Sequence, residues 1–178
     1  MIAGVCLVAI LVVSFYVYGD SMNRMATISW RSLEVASSIS LDKLKSGLSI
    51  VKVIVAASRT KLYVNATNTG TIKIDRAEFA QMDVILAYTD ETTNLNQTYW
   101  CYYNSSDSSR HTWNLNSSFA NPYPSVVNPR DWDPSETLSL VVELPTSPFL
   151  HHFMNDTVGY VKVILPQGTS DLSFFTVA

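Results

Sequence analysis

Charge is scarce in this chain. Asp, Glu, Lys and Arg make up 15% of 178 residues, with a net charge of -3. The Lys and Arg are scattered and form no basic run, so nothing in the sequence favours nucleic acid as a partner. Cysteine is nearly missing. Cys6 sits in an apolar N-terminal segment and Cys101 in the body, so the two cannot pair and the chain is not a disulfide scaffold. Glycine is sparse as well, at six residues, which leaves no backbone cradle for a cofactor. There is no G-x-S-x-G, no phosphate-binding glycine loop and no Cys/His metal spacing. These absences argue against an enzyme, and no cofactor is expected.

What is present begins with an unbroken uncharged apolar run. Ile2 to Tyr18 reads IAGVCLVAILVVSFYVY, and the first charge comes at Asp20. As a helix the run spans roughly 26 Å, near the lower limit for crossing a bilayer. A buried core helix would show a polar face, and this run shows none. A cleaved secretory signal would carry a basic n-region and a small-x-small cleavage site, and neither is seen. The run therefore reads as a transmembrane helix that roots the protein in a membrane.

The body after it holds five Asn-x-Ser/Thr sequons, at Asn65, Asn96, Asn104, Asn116 and Asn155, none with a central Pro. From 11 Asn and 37 Ser or Thr, chance predicts about half that number. The excess favours an extracytoplasmic body, with Asn104, in the most loop-like context, expected to be used first. No Lys or Arg precedes the apolar run, whereas Arg24 and Arg31 follow it, against the rule that positive charge stays cytoplasmic. Either a short basic leader belongs before the run or the two arginines are tolerated.

Two regions follow from the periodicity. Over residues 1–46, Met22, Met25, Ala26, Ser29, Leu33 and Ala36 recur at helical spacing, with no Pro between Gly19 and Ser46. This predicts that the membrane helix continues as an amphipathic stem that stops at Gly47. From 47 to 178 the period becomes two, predicting one extracytoplasmic β-domain. Ser49–Val55 is β-branched. Leu62, Val64 and Ala66 share one face of the next strand, with Asn65 on the other. Asn68-Thr69-Gly70 then supplies turn chemistry. Phe79 to Tyr88 reads as a strand with Met82, Val84, Leu86 and Tyr88 on one side. Further strands are expected at 98–103, 112–115, 136–144, 160–165 and 172–177, the sixth with Leu138, Leu140, Val142 and Leu144 inward. The stretch from Phe119 to Pro134, with Pro122, Pro124 and Pro129, reads as an irregular crossover. Seven or eight short strands without an intervening helix predict an immunoglobulin-like antiparallel β-sandwich.

Candidate chemistry is thin. His151-His152 are adjacent, and neighbouring side chains on an extended chain point apart, so they read as solvated loop histidines rather than metal ligands. Asp131 and Asp133 flank Trp132 and could be an acid/base pair, but a loop capped by Asp and Pro accounts for them. Cys101 lies in TYWCYY and reads as a packed small apolar residue. Trp100, Tyr102, Tyr103 and Trp113, set among polar loop residues, have the composition of an interface centre. The same aromatics could instead fill the core and edge of the sandwich.

Several phrases carry a family resemblance: KLYVNATNTG at 61–70, FAQMDVILAY at 79–88, WDPSETLSLVV at 132–142 and GYVKVILPQGTSDLSFFTV at 159–177, after an N-terminal apolar helix. In combination and order the chain resembles the archaeal flagellin superfamily, and within it the accessory F and G proteins of the archaeal flagellum, the archaellum. The resemblance implies a type IV pilin-like surface protein, with a hydrophobic helix in the membrane and a β-sandwich outside it. In the accessory branch the β-domain anchors the rotary motor to the surface layer. In the filament branch the helices bundle in a core. The partners implied are a surface-layer protein or other archaellum subunits, the membrane through the N-terminal helix, and copies of the chain in a homo-oligomer or filament.

Three functions compete: a stator-type anchor, a filament-forming archaellin or adhesion pilin, and a sugar- or solute-binding surface module. The uneven charged face from Asp20 to Glu34 favours the anchor, because a filament core would bury it. The third would need a concave aromatic site, which Trp100, Tyr102, Tyr103 and Trp113 could supply.

Overall fold

The structure, a computed structural model, describes residues 2–103, 107–116, 122–124, 131–146 and 150–178, with side chains from Val17 onward, Ile39 excepted. The chain divides into two compact units, Met1–Leu41 and Asp42–Ala178.

The first unit is helical. Helix α1 runs over Ile2–Lys45, 44 residues and about 66 Å of axis. Hydroxyls that would otherwise compete with the helix bond back to it: Thr27 to the Asn23 carbonyl and Ser32 to that of Ile28, both at 2.9 Å. Asp20 and Arg24 form an i,i+4 ion pair at 2.8 Å. At 100° per residue, Met22, Met25, Ala26, Trp30 and Leu33 share one side, opposite Asp20, Arg24, Arg31 and Glu34. The large apolar side chains of this segment are exposed, Trp30 by 73%. Among the described residues no helix is long and apolar enough to cross a membrane. The expected span at Ile2–Tyr18 depends, up to Tyr16, on side chains outside the described ones.

The second unit starts with the last helical turn and continues into eight strands: β1 Leu48–Val55, β2 Lys61–Asn68, β3 Asp83–Asp90, β4 Leu95–Tyr103, β5 Thr112–Leu115, β6 Thr137–Glu143, β7 Val158–Ile164 and β8 Ser170–Thr176. Their order is β1-β2-β6-β5-β4-β3-β7-β8. All neighbours are antiparallel except β4 and β5, which pair parallel through Tyr102 with Thr112 and Tyr103 with Trp113. That short parallel joint links two layers, β1-β2-β6-β5 and β4-β3-β7-β8. The outer strands also meet, since the Ile50 N–H donates to the Asp171 carboxylate at 2.7 Å. The result is a β-sandwich close to a barrel.

The core lies between the layers. Leu62, Val64 and Ala66 of β2, and Leu138, Leu140 and Val142 of β6, are fully buried, as their period-two spacing predicts. Met82, Val84, Leu86 and Tyr88 line the facing layer. Phe153 joins the two ends of the aromatic core, edge-on to Tyr88 at 4.9 Å and to Phe175 at 5.6 Å.

One expectation is corrected. The strand does not begin at Phe79, and a helix does interrupt the strands: Arg76–Gln81 is a 3-10 helix and β3 starts at Asp83. Glu78 accepts the Asp75 N–H at 3.0 Å at its start. Phe79 is buried edge-on to Trp132, with centroids 6.5 Å apart. A short helix of this kind shows no apolar period of its own.

A close approach fixes the start of the β-unit. The carbonyl of Lys45 accepts the Thr71 N–H at 2.8 Å, and that of Gly47 accepts the Thr69 N–H at 3.1 Å. A Cβ on Gly70 would sit 2.5 Å from the Gly47 nitrogen and 2.6 Å from the Lys45 oxygen, so neither backbone could approach this far with a side chain present. Thr169 closes the other side, donating to the Lys43 carbonyl at 3.3 Å and bonding the Ser46 hydroxyl.

Candidate interface

Alternation along β4 divides the aromatic cluster. Cys101 points inward and is buried, while Trp100 and Tyr102 point outward and are exposed by 53% and 47%. Tyr103 packs inward on Trp113, with centroids 4.5 Å apart, and Trp113 is fully buried. The four aromatics proposed as one centre therefore separate, two onto the surface and two into or against the core.

Strand register extends the surface. Trp100 pairs with Ile85, Ile85 with Lys162 and Lys162 with Leu172, giving one row across β4-β3-β7-β8. The next row is Thr98, Ala87, Tyr160 and Phe174. Directly paired residues project to the same side of a sheet, so these rows form one outward face. Phe174 is exposed by 68% and sits edge-on to Tyr160 at 6.2 Å. Behind it, Gly159 makes room for the inward ring of Phe175, whose nearest carbon would lie 2.5 Å from a Cβ there. Exposed Trp100, Leu172 and Phe174 thus share a solvent-facing sheet surface with Lys162 and Thr98, and exposed apolar side chains rimmed by polar ones are a common feature of interaction surfaces. The sequence carries a partial signal, since of the adjacent Phe174 and Phe175 one must face out.

Beside Tyr102 the surface turns polar. The Arg110 guanidinium lies over the Tyr102 ring, 4.9 Å from its centroid, and pairs with Asp107 at 2.9 Å. Below them is a buried network. His111 stacks on Tyr99 at 3.7 Å between centroids, and its Nε2 lies 3.0 Å from the Tyr88 hydroxyl. Burial, with a smaller push from His151, lowers the His111 pKa to about 4. Burial likewise pushes the Cys101 thiol up to about 12, which leaves it a packing residue and not a nucleophile.

His151 corrects another expectation. It is not a solvated loop residue: its Nδ1 lies 2.8 Å from the fully buried Asp90 carboxylate. Burial alone would raise the Asp90 pKa. Hydrogen bonds from His151, the Thr92 N–H and the Thr93 hydroxyl outweigh it and hold the carboxyl below its ordinary value. His152 lies 3.2 Å from the Ser58 carbonyl through Nδ1. Asp131 pairs with Lys73 at 2.9 Å, and the backbone N–H of Asp133 donates to the buried Glu136 carboxylate at 3.0 Å, so the carboxylates that tie this loop down are those of Asp131 and Glu136. Among the described residues no group of three His, Cys, Asp or Glu converges on a metal position.

The sequons fall in different settings. Asn65 and Asn116 are half-buried, and Asn96 and Asn155 are exposed. The Asn155 side-chain oxygen Oδ1 accepts from the Arg59 guanidinium at 3.1 Å. Asn104 lies outside the described residues.

No protein-family model and no curated protein matches this sequence. Solved structures do. The chain is similar to the archaellum periplasmic stator protein FlaG from Sulfolobus acidocaldarius, with a TM-score of 0.52 and 15% identity over 73% of this chain and 99% of that one. It is similar to the periplasmic stator complex of FlaF and FlaG from the same organism, at a TM-score of 0.50 and 15% identity over 72% and 87%. It is also similar to the archaeal flagellum of Methanospirillum hungatei strain JF1, at a TM-score of 0.57 and 14% identity over 99% and 92%. The fold of this chain is the one these archaellum structures share.

Proposed function

We propose that this protein is a non-enzymatic structural component of an archaellum: an accessory, stator-type protein rooted in the cell membrane by residues 2–18. Its immunoglobulin-like sandwich, over 47–178, stands outside the membrane and binds the surface layer or a partner subunit. The observation that carries this reading is the outward face of β4-β3-β7-β8. An anchor that transmits torque needs a root, a spacer and a face that grips a partner. Trp100 and Phe174 supply large, rigid, exposed contact area on that face. Likeness to a periplasmic stator fold supports the assignment.

The test is motility. Trp100→Glu and Phe174→Glu, in the host that makes the protein, should abolish swimming while filaments still assemble and the domain stays folded. Normal swimming by both variants would remove this surface from the mechanism.

A filament subunit is the second reading, and one observation favours it. The Asp20–Arg24 pair at 2.8 Å lets α1 carry two of its charges into a helix bundle already neutralised. The apolar side through Met22, Met25 and Leu33 would then pack against copies of itself.

A further inference from the structure

On the outer face of the β1-β2-β6-β5 layer lies a hollow of about 380 Å³, within the size range of small-ligand sites. It is lined by Ile54, Tyr63, Asn65, Asn116, Tyr123, Thr137 and Ser139. Its walls are mainly apolar, and Tyr123 stands beside it 74% exposed, pinned by its backbone to Thr137 at 2.7 and 2.8 Å. Two sequon asparagines border this hollow, and they differ. Asn116 donates its amide to the Ser139 hydroxyl at 3.3 Å. The Asn65 side chain makes no hydrogen bond among the described residues. Strand alternation puts Tyr63, Asn65 and Thr67 on the same outward face, so the aromatic ring, the acceptor amide and the sequon hydroxyl stand in a row.

We propose that Asn65 carries an N-linked glycan whose first sugars seat in this hollow, against Tyr63, Ile54 and Tyr123. The inference rests on the extracytoplasmic placement of the sandwich. A sugar ring presents C–H groups on one face and hydroxyls on its rim. The C–H face packs on the negative face of a tyrosine ring. The rim reaches the hydroxyls of Thr137 and Ser139. A half-buried apolar patch would thereby be covered by a group tethered beside it, at the low entropic cost of an intramolecular contact. In the attachment step Asn65 Nδ2 bonds to the anomeric carbon of a polyprenyl-phosphate-linked oligosaccharide. The anomeric C–O bond breaks, the lipid phosphate leaves with the electron pair, and one amide proton passes to a base of the transferring enzyme.

The experiment is glycopeptide mass spectrometry and thermal unfolding of the full chain isolated from its native host. The Asn65 peptide should carry sugar. Tyr123→Ala should lower the melting temperature of the glycosylated protein by about 2–4 °C. It should leave the Asn65→Gln protein within about a degree of its own parent, and Tyr123→Phe, which keeps the ring, should behave as wild type. An unmodified Asn65 beside modified Asn96 or Asn155 would overturn the inference, as would an equal Tyr123→Ala shift in both backgrounds. Absence of sugar at every sequon, in a host that glycosylates its other surface proteins, would overturn the inference and count against the extracytoplasmic placement as well.

Discussion

The side-chain amide of Asn68 donates to the backbone carbonyl of Trp132 at 3.0 Å, across 64 residues of sequence. Its second hydrogen goes to the Ile72 carbonyl at 2.9 Å, and its oxygen accepts the Gly70 N–H at 3.0 Å. Trp132 in turn donates its indole N–H to the Glu136 carbonyl at 2.7 Å. One buried asparagine thus shapes the turn after β2 and ties it to the loop that starts β6.

Asn68→Ala should therefore lower unfolding stability by about 1–3 kcal/mol, because buried carbonyls lose their donor. Asn68→Asp should cost more, since it turns a carboxylate oxygen toward two carbonyl oxygens. Denaturant titration of the two variants measures both effects and their order.

Gly70→Ala should destabilise the β-unit by about 1–3 kcal/mol, the usual range for overpacking. The obstructing atoms are the backbone of Gly47 and Lys45, which cannot rotate away. Hydrogen exchange should show early loss of protection at Thr69 and Thr71, whose N–H groups cross this contact. Gly168→Ala is the control for added volume, because open space surrounds that position, though its positive φ of 85° brings a backbone penalty of its own.

His111 should make stability depend on pH. Its imidazole is held neutral in the fold, facing Tyr88, Tyr99, Asp90 and His151, with a pKa near 4 against the ordinary 6.5. Between those values the unfolded chain binds a proton that the folded chain does not. Stability should then fall as pH drops from about 6.5 toward 4, by at most about 1.4 kcal/mol per pH unit from this group. In His111→Gln that component should vanish, so the difference in Tm between pH 7 and pH 5 should shrink.

The elements most legible in the sequence are those whose partners do not matter to the pattern. Leu62-Val64-Ala66 and Leu138-Leu140-Val142 alternate because one face of each strand is buried, whichever strand lies next to it. The phrases containing Asn68 and Trp132 stand apart in the sequence, and the fold lays them side by side as β2 and β6. The 3-10 helix is hard to read because six residues hold too little periodicity, although Asp75 and Glu78 at capping spacing mark its start. His151 reads as a solvated residue because Asp90, which claims it, lies 61 residues away. The outward aromatic face is only partly legible for the same reason: Trp100 and Tyr102 stand out by composition, and their neighbours on other strands do not. Trp100, Ile85, Tyr160 and Phe174 come together only through the register of four strands.

Whether this chain is a membrane-rooted accessory protein of an archaellum is decided by quantitative mass spectrometry of cells whose filaments have been sheared off. A stator-type anchor should be found at low copy in the membrane fraction, with nearly none in the sheared filaments. Recovery at high copy in the filaments, at the level of a major subunit, would contradict the anchor and establish the filament subunit instead.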